Sequence, residues 1–315
     1  MAGIRATLRV IALTASAISI FSTCQKSVEA GTEQGESLTF SITCDMRQFS
    51  MPEYRDGRHF AGAISALADA GAGAFMVSPG DIDPPGAVRE VLDSLLGADY
   101  VWYPVVGNHE SETAEDMAWL REYNTGGRKL PDIVRTGPQG CEETTFSFNS
   151  GPAHFSVINQ YYDGKSDIGS DGDVVDELYD WLAADLAAAG KPYLFVVGHE
   201  PVVPTPDESS GRVRHADDSL NQHEKNNARF MALLRKYRAI YLCGHTHNTS
   251  VAYINGVWQL DSGHSRGIGD TGAPSTFMRV TVGSGAPVAE LWRDDGSGSN
   301  YELKSSWTLY GAGPE

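Results

Sequence analysis

The chain has 315 residues, of which 41% are hydrophobic and 21% are charged. This composition supplies enough apolar side chains for a globular core and excludes an intrinsically disordered chain. The formal net charge of −17 at pH 7 has the wrong sign for a protein that holds the phosphate backbone of nucleic acids, so no nucleic-acid backbone binding is expected.

The first 30 residues differ in composition from the rest of the chain. Two arginines precede an apolar stretch over 10–21, which is too short to span a membrane but has the length of a secretory signal. Cleavage after Ala30 competes with processing at Cys24, where a lipid anchor could be attached. Both alternatives predict an extracytoplasmic protein that is periplasmic, secreted or lipid-anchored.

A short polar linker over 31–37 is expected to lead into one catalytic domain over 38–315. In chain order, its first half alternates apolar runs with amphipathic segments. These predict strand 38–44, helix 58–70, strand 74–79, helix 86–96, strand 99–106 and helix 112–123. Such near-continuous apolar strands are typical of parallel sheets that are covered on both faces.

The second half begins with a predicted β-hairpin, whose turn is Asn149-Ser150-Gly151-Pro152. Alternation then resumes, with a helix from Val174 to about Gly190, strand 193–197, helix 220–237 and strand 239–243. From residue 250 onward, apolar runs between glycine-rich turns predict antiparallel strands. The economical fold is an α/β protein with a two-layer β-sandwich of mixed sheets, flanked by helices.

Five of the predicted strands end in polar blocks. The blocks are Asp45, Gly80-Asp81, Gly107-Asn108-His109-Glu110, Gly198-His199-Glu200 and Gly244-His245-Thr246-His247. Because the carboxyl ends of parallel strands meet at one edge of a sheet, we expect these side chains to line one crevice. Carboxylate, amide and imidazole ligands together suit Mn, Fe or Zn. An extended backbone would aim the two histidines of the last block the same way and turn Thr246 away.

These blocks, in this order over residues 38–265, resemble the calcineurin-like metallophosphoesterase superfamily, whose pattern is D-x-H, G-D, G-N-H-D/E, G-H and G-H-x-H. The resemblance implies one or two divalent or trivalent metal ions and a metal-bound hydroxide that attacks a small phosphomonoester or phosphodiester. His109 would be the catalytic histidine that protonates the leaving oxygen. The implied metal ligands are Asp45, Asp81, Asn108, His199, His245 and His247, with Asp81 bridging two ions.

The first block departs from the family pattern, because Arg47 stands where relatives have a histidine. Arginine stays protonated and cannot ligate a metal. We include Arg47 among the catalytic residues because it would hold a substrate phosphate; the alternative is an inert ion pair with Asp45 in the vacated metal space. The purple acid phosphatases also lack this histidine, but they recruit a tyrosine after the G-D block. This chain has none there, and Asp83 is a candidate to fill the gap.

Several further residues carry two interpretations each. Glu110 would either orient the catalytic imidazole or cap the following helix, and His264 and Arg266 would be either site residues or ordinary loop residues. Two long polar loops, 124–143 and 202–221, are predicted to wall the substrate site. The basic residues of the second loop would either attract an anionic substrate or be solvated surface charge: Arg212, Arg214 and His215.

Two functions from different classes remain. One is an exported metal-dependent phosphoesterase. The other is a degenerate member of the same fold that binds metal or phosphate without turnover, which the arginine of the first block makes plausible. The histidine at position 109 favours the enzyme, because a binding module has no need of a proton donor beside its metal ligands.

Overall fold

The structure is a computed structural model that describes residues 37–309. The predicted leader, with its alternative processing sites at Cys24 and Ala30, lies outside the described residues. Within 37–309, every helix is too short or too polar to cross a membrane.

Thirteen strands and six α-helices form the described chain. The strands are β1 (Leu38–Ile42), β2 (Phe75–Ser78), β3 (Val101–Pro104), β4 (Ile133–Thr136), β5 (Phe146–Ser150), β6 (Ala153–Val157), β7 (Tyr193–Val197), β8 (Ile240–Cys243), β9 (Thr249–Ile254), β10 (Val257–Ser262), β11 (Thr276–Val282), β12 (Val288–Asp294) and β13 (Tyr301–Thr308). The helices are α1 (Phe60–Ala70), α2 (Pro85–Leu96), α3 (Asn108–Ser111), α4 (Ala114–Tyr123), α5 (Asp176–Ala188) and α6 (Glu224–Tyr237).

The strands form two mixed sheets. The first sheet has the order β13-β12-β11-β1-β2-β3, and the second has the order β4-β5-β6-β7-β8-β10-β9. Strands β1, β2 and β3 run parallel in the first sheet, and β6, β7, β8 and β10 run parallel in the second. The loops that follow these parallel strands therefore emerge at the carboxyl edges of the sheets, where the polar blocks of the sequence lie.

An aromatic core fills the space between the sheets. Phe40 of β1 meets Phe155 of β6 and Phe195 of β7 edge to face, with ring centroids 5.0 and 5.2 Å apart. Helices α1, α2 and α4 cover the outer face of the first sheet, and α5 and α6 cover the outer face of the second. The predicted α/β sandwich with flanking helices is confirmed.

Three details differ from the sequence predictions. The helix predicted over 112–123 begins at Ala114 as α4 and is preceded by a separate turn, α3, that was not predicted, and α6 begins at Glu224 rather than at 220. The loop predicted over 124–143 contains an edge strand, β4. The C-terminal strands are not all antiparallel neighbours, because β10 pairs in parallel with β8, whereas β11 crosses to the other sheet and pairs with β1.

Candidate metal centre

Four of the predicted ligands line one pocket of about 320 Å³ at the carboxyl edges of the two sheets: Asp81, Asn108, His245 and His247. The other two, Asp45 and His199, are fully buried and lie within 3.5 Å of these ligands. Asp45 follows β1, Asp81 follows β2, and Asn108 opens α3 after β3. The second sheet contributes His199 after β7 and the loop from β8 to β9, which carries His245 and His247. Residues up to two hundred positions apart in the sequence thus meet because alternating strands deliver them to one edge.

Three ligand atoms cluster around His199 Nε2. Asp81 Oδ1 lies 3.4 Å from this nitrogen, Asn108 Oδ1 lies 3.2 Å from it, and His245 Nδ1 lies 3.2 Å from it. His199 is fully buried, and Asp81 is 2% exposed. We call Asp81, Asn108, His199 and His245 the His199 group.

In both imidazoles of the His199 group, the proton is on the nitrogen that faces away from the cluster, so a lone pair faces into it. His199 Nδ1 lies 2.7 Å from the backbone carbonyl of Pro79, so its proton is on Nδ1 and the lone pair is on Nε2. His245 Nε2 lies 2.8 Å from the carbonyl of Asp218, which leaves the lone pair of Nδ1 facing the cluster. Two imidazole lone pairs, an amide oxygen orientated towards them and a carboxylate oxygen therefore face one another with no hydrogen to share.

Such a buried set of acceptors is unfavourable unless a cation lies among them. Nitrogen and oxygen ligands placed about 2.1 Å from one ion lie roughly 3.0 to 3.4 Å from each other, which is the spacing around His199 Nε2. The ligand types suit Mn, Fe or Zn. The His199 group therefore fits a metal ion.

Asp45 and His247 form the second half of the pocket, on the other side of Asp81. One ligand atom from each of Asp45, Asp81 and His247 lies within 4.8 Å of the others. Asp45 Oδ2 accepts a hydrogen bond of 3.0 Å from the backbone N–H of His245, while Asp45 Oδ1 is buried without a hydrogen-bond partner among the described residues. Burial, and then the nearby charge of Asp81, raise the pKa of Asp45 well above its usual range. These carboxylates also require a positive partner.

His109 lies on the pocket wall next to the ligands. Its Nε2 is 3.6 Å from Asp81 Oδ2, and its Nδ1 is 3.7 Å from Glu112 Oε2. Burial lowers the pKa of His109, although the charge of Asp81 opposes this effect. The imidazole can therefore reach a substrate bound in the pocket while remaining outside the His199 group.

Glu110 does not touch the His109 imidazole in the way that one interpretation of the sequence suggested. Its carboxylate accepts hydrogen bonds from the backbone N–H groups of Gly107, Asp81 and Ile82, at 2.7, 2.9 and 2.7 Å. The side chain thus caps the start of α3, as the other interpretation suggested, and also fixes the loop that carries Asp81.

Arg47 lines the pocket but does not pair with Asp45. Its Nε lies 3.4 Å from Asp83 Oδ2, and 43% of its side chain is exposed. Asp83 is therefore engaged by Arg47 rather than by the ligand cluster. The exposed fraction of the guanidinium side chain faces the pocket, where it can meet an anionic group of a substrate.

The backbone at the ligands is strained. Four of the predicted ligands have positive φ angles: Asp45 (51°), Asp81 (54°), His245 (69°) and His247 (54°). For non-glycine residues such conformations cost about 1 to 3 kcal/mol each and concentrate at functional sites. The extended backbone predicted for the last block is therefore wrong. Thr246 does turn away, and its hydroxyl donates a 2.5 Å hydrogen bond to Asp261.

A model of the calcineurin-like phosphoesterase family matches residues 60–249, which is more than half of the chain. The chain belongs to the calcineurin-like phosphoesterase family. The family resemblance predicted from the polar blocks is thereby confirmed.

Several solved structures have a similar fold. A purple acid phosphatase from yellow lupin (Lupinus luteus) seeds is 15% identical, with a TM-score of 0.56 over 87% of this chain and 54% of the lupin chain. PhoD is 12% identical, with a TM-score of 0.55 over 86% of this chain and 69% of its own. The anchor in the inner membrane complex of Plasmodium is 15% identical, with a TM-score of 0.53 over 87% and 88%.

These similarities concern the fold. The chain spans about half the length of the lupin enzyme. No curated protein matches the chain.

The sequence does not predict Asp270 to be a site residue, and it allows two interpretations of Arg266. Asp270 Oδ2 lies 2.8 Å from His247 Nδ1 and fixes that imidazole, and Arg266 Nη2 lies 3.2 Å from His247 Nε2. His264, by contrast, is an ordinary buried histidine, whose Nε2 lies 3.0 Å from the carbonyl of Ala273. A loop aspartate 23 positions after the histidine that it orients gives no periodic signal in the sequence.

The basic residues of the second long loop do not extend into solvent. Arg212 donates to the backbone carbonyl of His247 at 2.9 Å and pairs with Asp270 at 3.2 Å, and Arg214 contacts His247 Nδ1. The His215 ring contacts that of His245 at a tilt of 37°, with ring centroids 4.1 Å apart. The predicted substrate wall at 202–221 therefore lies against the loop that carries His245 and His247.

Proposed function

We propose that the protein is an exported, metal-dependent phosphoesterase that hydrolyses phosphomonoesters or phosphodiesters. The observation that carries the proposal is the His199 group, in which four acceptors converge without a hydrogen to share, next to a histidine that can deliver a proton. Export rests on the sequence of residues 1–30 and on the acidic composition of the chain.

The protein's own residues divide the work between them. Asp81, Asn108, His199 and His245 would hold a metal ion, which when bound supplies a Lewis acid for water activation and for the charge on phosphoryl oxygens. Glu110 fixes the Asp81 loop through three backbone hydrogen bonds.

His109 would protonate the leaving oxygen. Burial lowers its pKa in the free protein, but a bound phosphate places negative charge beside the imidazole and favours its protonated form. Arg47, at the pocket rim, would contact a phosphate oxygen.

A panel of phosphomonoesters and phosphodiesters, assayed with Mn, Fe, Zn or no added metal, tests this function. The experiment uses the mature protein, whose mass also distinguishes cleavage after Ala30 from a lipidated Cys24. We expect hydrolysis of at least one ester class that is abolished by a chelator and restored by metal. His109→Ala should lower kcat by about 10²- to 10⁴-fold without changing the metal content, because a general acid contributes about that much.

The alternative is a non-catalytic member of the family that binds metal or phosphate. It predicts metal uptake and phosphate binding with no hydrolysis of any ester at any metal. That result would replace the proposed function, whereas an activity that survives in His109→Ala would contradict only the role assigned to this histidine.

A further inference from the structure

Arg266 lies against the second half of the pocket, the half formed by Asp45 and His247. It follows β10, and its Nε donates a 2.6 Å hydrogen bond to the backbone carbonyl of Asp45. Its Nη2 lies 3.2 Å from His247 Nε2, and its guanidinium carbon lies 5.8 Å from the ring centroid of Phe49. The guanidinium is therefore held in place from three sides.

The tautomer of His247 makes this contact a hydrogen bond from Arg266. Asp270 Oδ2, 2.8 Å from His247 Nδ1, accepts the imidazole proton, so the lone pair is on Nε2. This is the lone pair that a metal ion would need, and Arg266 already donates to it. His247 Nε2 thus accepts a hydrogen bond from Arg266, and His247 Nδ1 donates one to Asp270.

Other positive charges surround the same imidazole. Arg212 donates to the backbone carbonyl of His247, and Arg214 contacts His247 Nδ1. These positive charges would oppose the binding of a divalent ion at Nε2.

The first polar block contributes a second, independent loss at this half of the pocket. Where the family pattern has a histidine ligand, this chain has Arg47, whose guanidinium pairs with Asp83 at the pocket rim. The histidine ligand of the first block is absent, and the lone pair of His247 Nε2 is already hydrogen-bonded to Arg266. The Asp45–His247 half of the pocket therefore lacks one ligand of the family pattern and shares another with Arg266. Asp45 Oδ1, which lies 3.5 Å from His247 Nε2 and has no hydrogen-bond partner among the described residues, still requires a positive charge there.

We propose that the guanidinium of Arg266 takes the place of the second metal ion, so that the protein binds one metal ion and uses Arg266 as a fixed cation for the phosphoryl group. The inference rests on the proposed function, since it concerns the same pocket. Arginine cannot activate water as a metal does, but its planar N–H groups match two phosphate oxygens and stay charged at any physiological pH.

Metal stoichiometry gives the first test and needs no activity. Each protein is incubated with excess Mn or Zn, desalted and analysed by elemental mass spectrometry. We expect one ion per wild-type chain. We also expect one ion in Arg266→Ala, because position 47 still carries an arginine, which cannot ligate a metal. The double variant Arg47→His/Arg266→Ala should bind two. Two ions per wild-type chain would overturn the proposal, and a double variant that keeps one ion would show that Arg266 does not exclude the second.

Binding of inorganic phosphate to the one-metal protein gives the second test, by isothermal titration calorimetry. Arg266→Ala should bind phosphate at least about tenfold more weakly, with Arg266→Lys in between, because lysine keeps the charge but not the paired N–H groups. Arg235→Ala, in α6 on the outer face of the second sheet, is the matched control and should bind as the wild type does. Unchanged phosphate affinity in a folded Arg266→Ala protein contradicts the role of this residue.

Folding of each variant is checked by thermal unfolding. Should Arg266→Ala fail to fold, the wild-type metal stoichiometry and the phosphate affinity of Arg266→Lys still test the role of Arg266.

The test of Arg266 can be distinguished from the test of the proposed function. One ion with phosphate binding that depends on Arg266, but no ester hydrolysis, refutes the enzyme and retains this inference; two ions with full hydrolysis does the reverse.

Discussion

Two glycines of the polar blocks are required because the ligands pack directly against their backbones. A Cβ at Gly244 would overlap Asp45 Oδ2 and would lie 2.6 Å from Cys44 Sγ. A Cβ at Gly107 would overlap both the backbone nitrogen and Oδ1 of Asp81. The glycine before each ligand is therefore a condition for bringing ligands of neighbouring strands within coordinating distance.

We predict that Gly244→Ala weakens metal binding by at least tenfold and lowers the free energy of unfolding by about 1 to 3 kcal/mol, the usual cost of overpacking. The reason is the displacement of the Asp45 carboxylate and of the loop that carries His245. Metal titration calorimetry and urea unfolding measure the two effects. Gly57→Ala is the control, because no atom lies within 4 Å of its added Cβ. Wild-type metal affinity in Gly244→Ala would show that the pocket tolerates this displacement.

At the level of residues, the sequence predicts which side chains meet but not how their backbones allow it. The polar blocks identified Asp81, Asn108, His199 and His245, which the structure brings together. The positive φ angles could not be predicted, because aspartate and histidine ordinarily avoid this region and occupy it here only through tertiary contacts. The pairing of Asp270 with His247 depends on loop geometry and carries no local signal.

At the level of elements, the loop over 202–221 is fixed to both sheets by one buried ion pair. Asp207 accepts a 2.7 Å hydrogen bond from Arg293 of β12 and a 2.9 Å hydrogen bond from the backbone N–H of Thr249 in β9. Asp207 is 2% exposed and Arg293 is 3% exposed. This pair attaches to the protein body the loop that places Arg212 and Arg214 beside His247.

We predict that Asp207→Asn destabilises the protein by about 3 to 5 kcal/mol, because it leaves the buried charge of Arg293 without a partner. Urea unfolding at pH 7 measures the change. The exposed pair of Lys304 and Glu302 supplies the control, and Glu302→Gln should cost less than about 1 kcal/mol. A cost for Asp207→Asn as small as that of the control would mean that water reaches the pair.

The same pair predicts a dependence of stability on pH. Burial alone would raise the pKa of Asp207, but hydrogen bonds from Arg293 and from the backbone outweigh it and hold the pKa well below its usual range. A carboxylate with a lowered pKa in the folded state contributes stability above its unfolded pKa of about 3.9 and loses it as pH falls below that value. The difference in unfolding free energy between wild type and Asp207→Asn should therefore shrink below about pH 4.

The elements themselves could be predicted where the sequence pattern is local. The apolar run at 193–197 is β7 in the structure, and the hairpin at 149–152 joins β5 to β6. The start of α4 at Ala114 lies within two residues of the predicted helix start, but the short helix α3 was not predicted. Glu110 stabilises α3 by accepting from the backbone of Gly107 and of the loop after β2, and the contacts to that loop leave no local signal in the sequence.

At the level of the whole molecule, the chain crosses between the sheets. Strands β11 to β13 leave the second sheet and return to the first, where β11 pairs with β1 over five residues. Alternation of apolar and polar residues identifies a strand but not the sheet that it joins, so the sequence predicted the strands from residue 250 onward without their placement. The crossing completes the sheet beside β1, which carries Asp45 to the pocket.

The two sheets are held together by the aromatic core, and Phe155 is its centre. Its ring lies 5.0 Å from that of Phe40 and 5.2 Å from that of Phe75 across the interface, and 4.8 and 4.9 Å from those of Phe148 and Phe195 in its own sheet. The side chain is fully buried. Removal of a phenyl ring from such a position leaves a cavity that its neighbours fill only in part.

We predict that Phe155→Ala lowers the free energy of unfolding by about 3 to 5 kcal/mol, measured by urea unfolding with an unchanged slope. Leu303→Ala, at a side chain that is 48% exposed on β13, should cost less than about 1 kcal/mol. Below the unfolding transition, Phe155→Ala should still bind metal as the wild type does, because the ligands belong to the strand ends rather than to the inter-sheet core. Loss of metal from the folded variant would mean instead that the packing of the sheets sets the ligand positions.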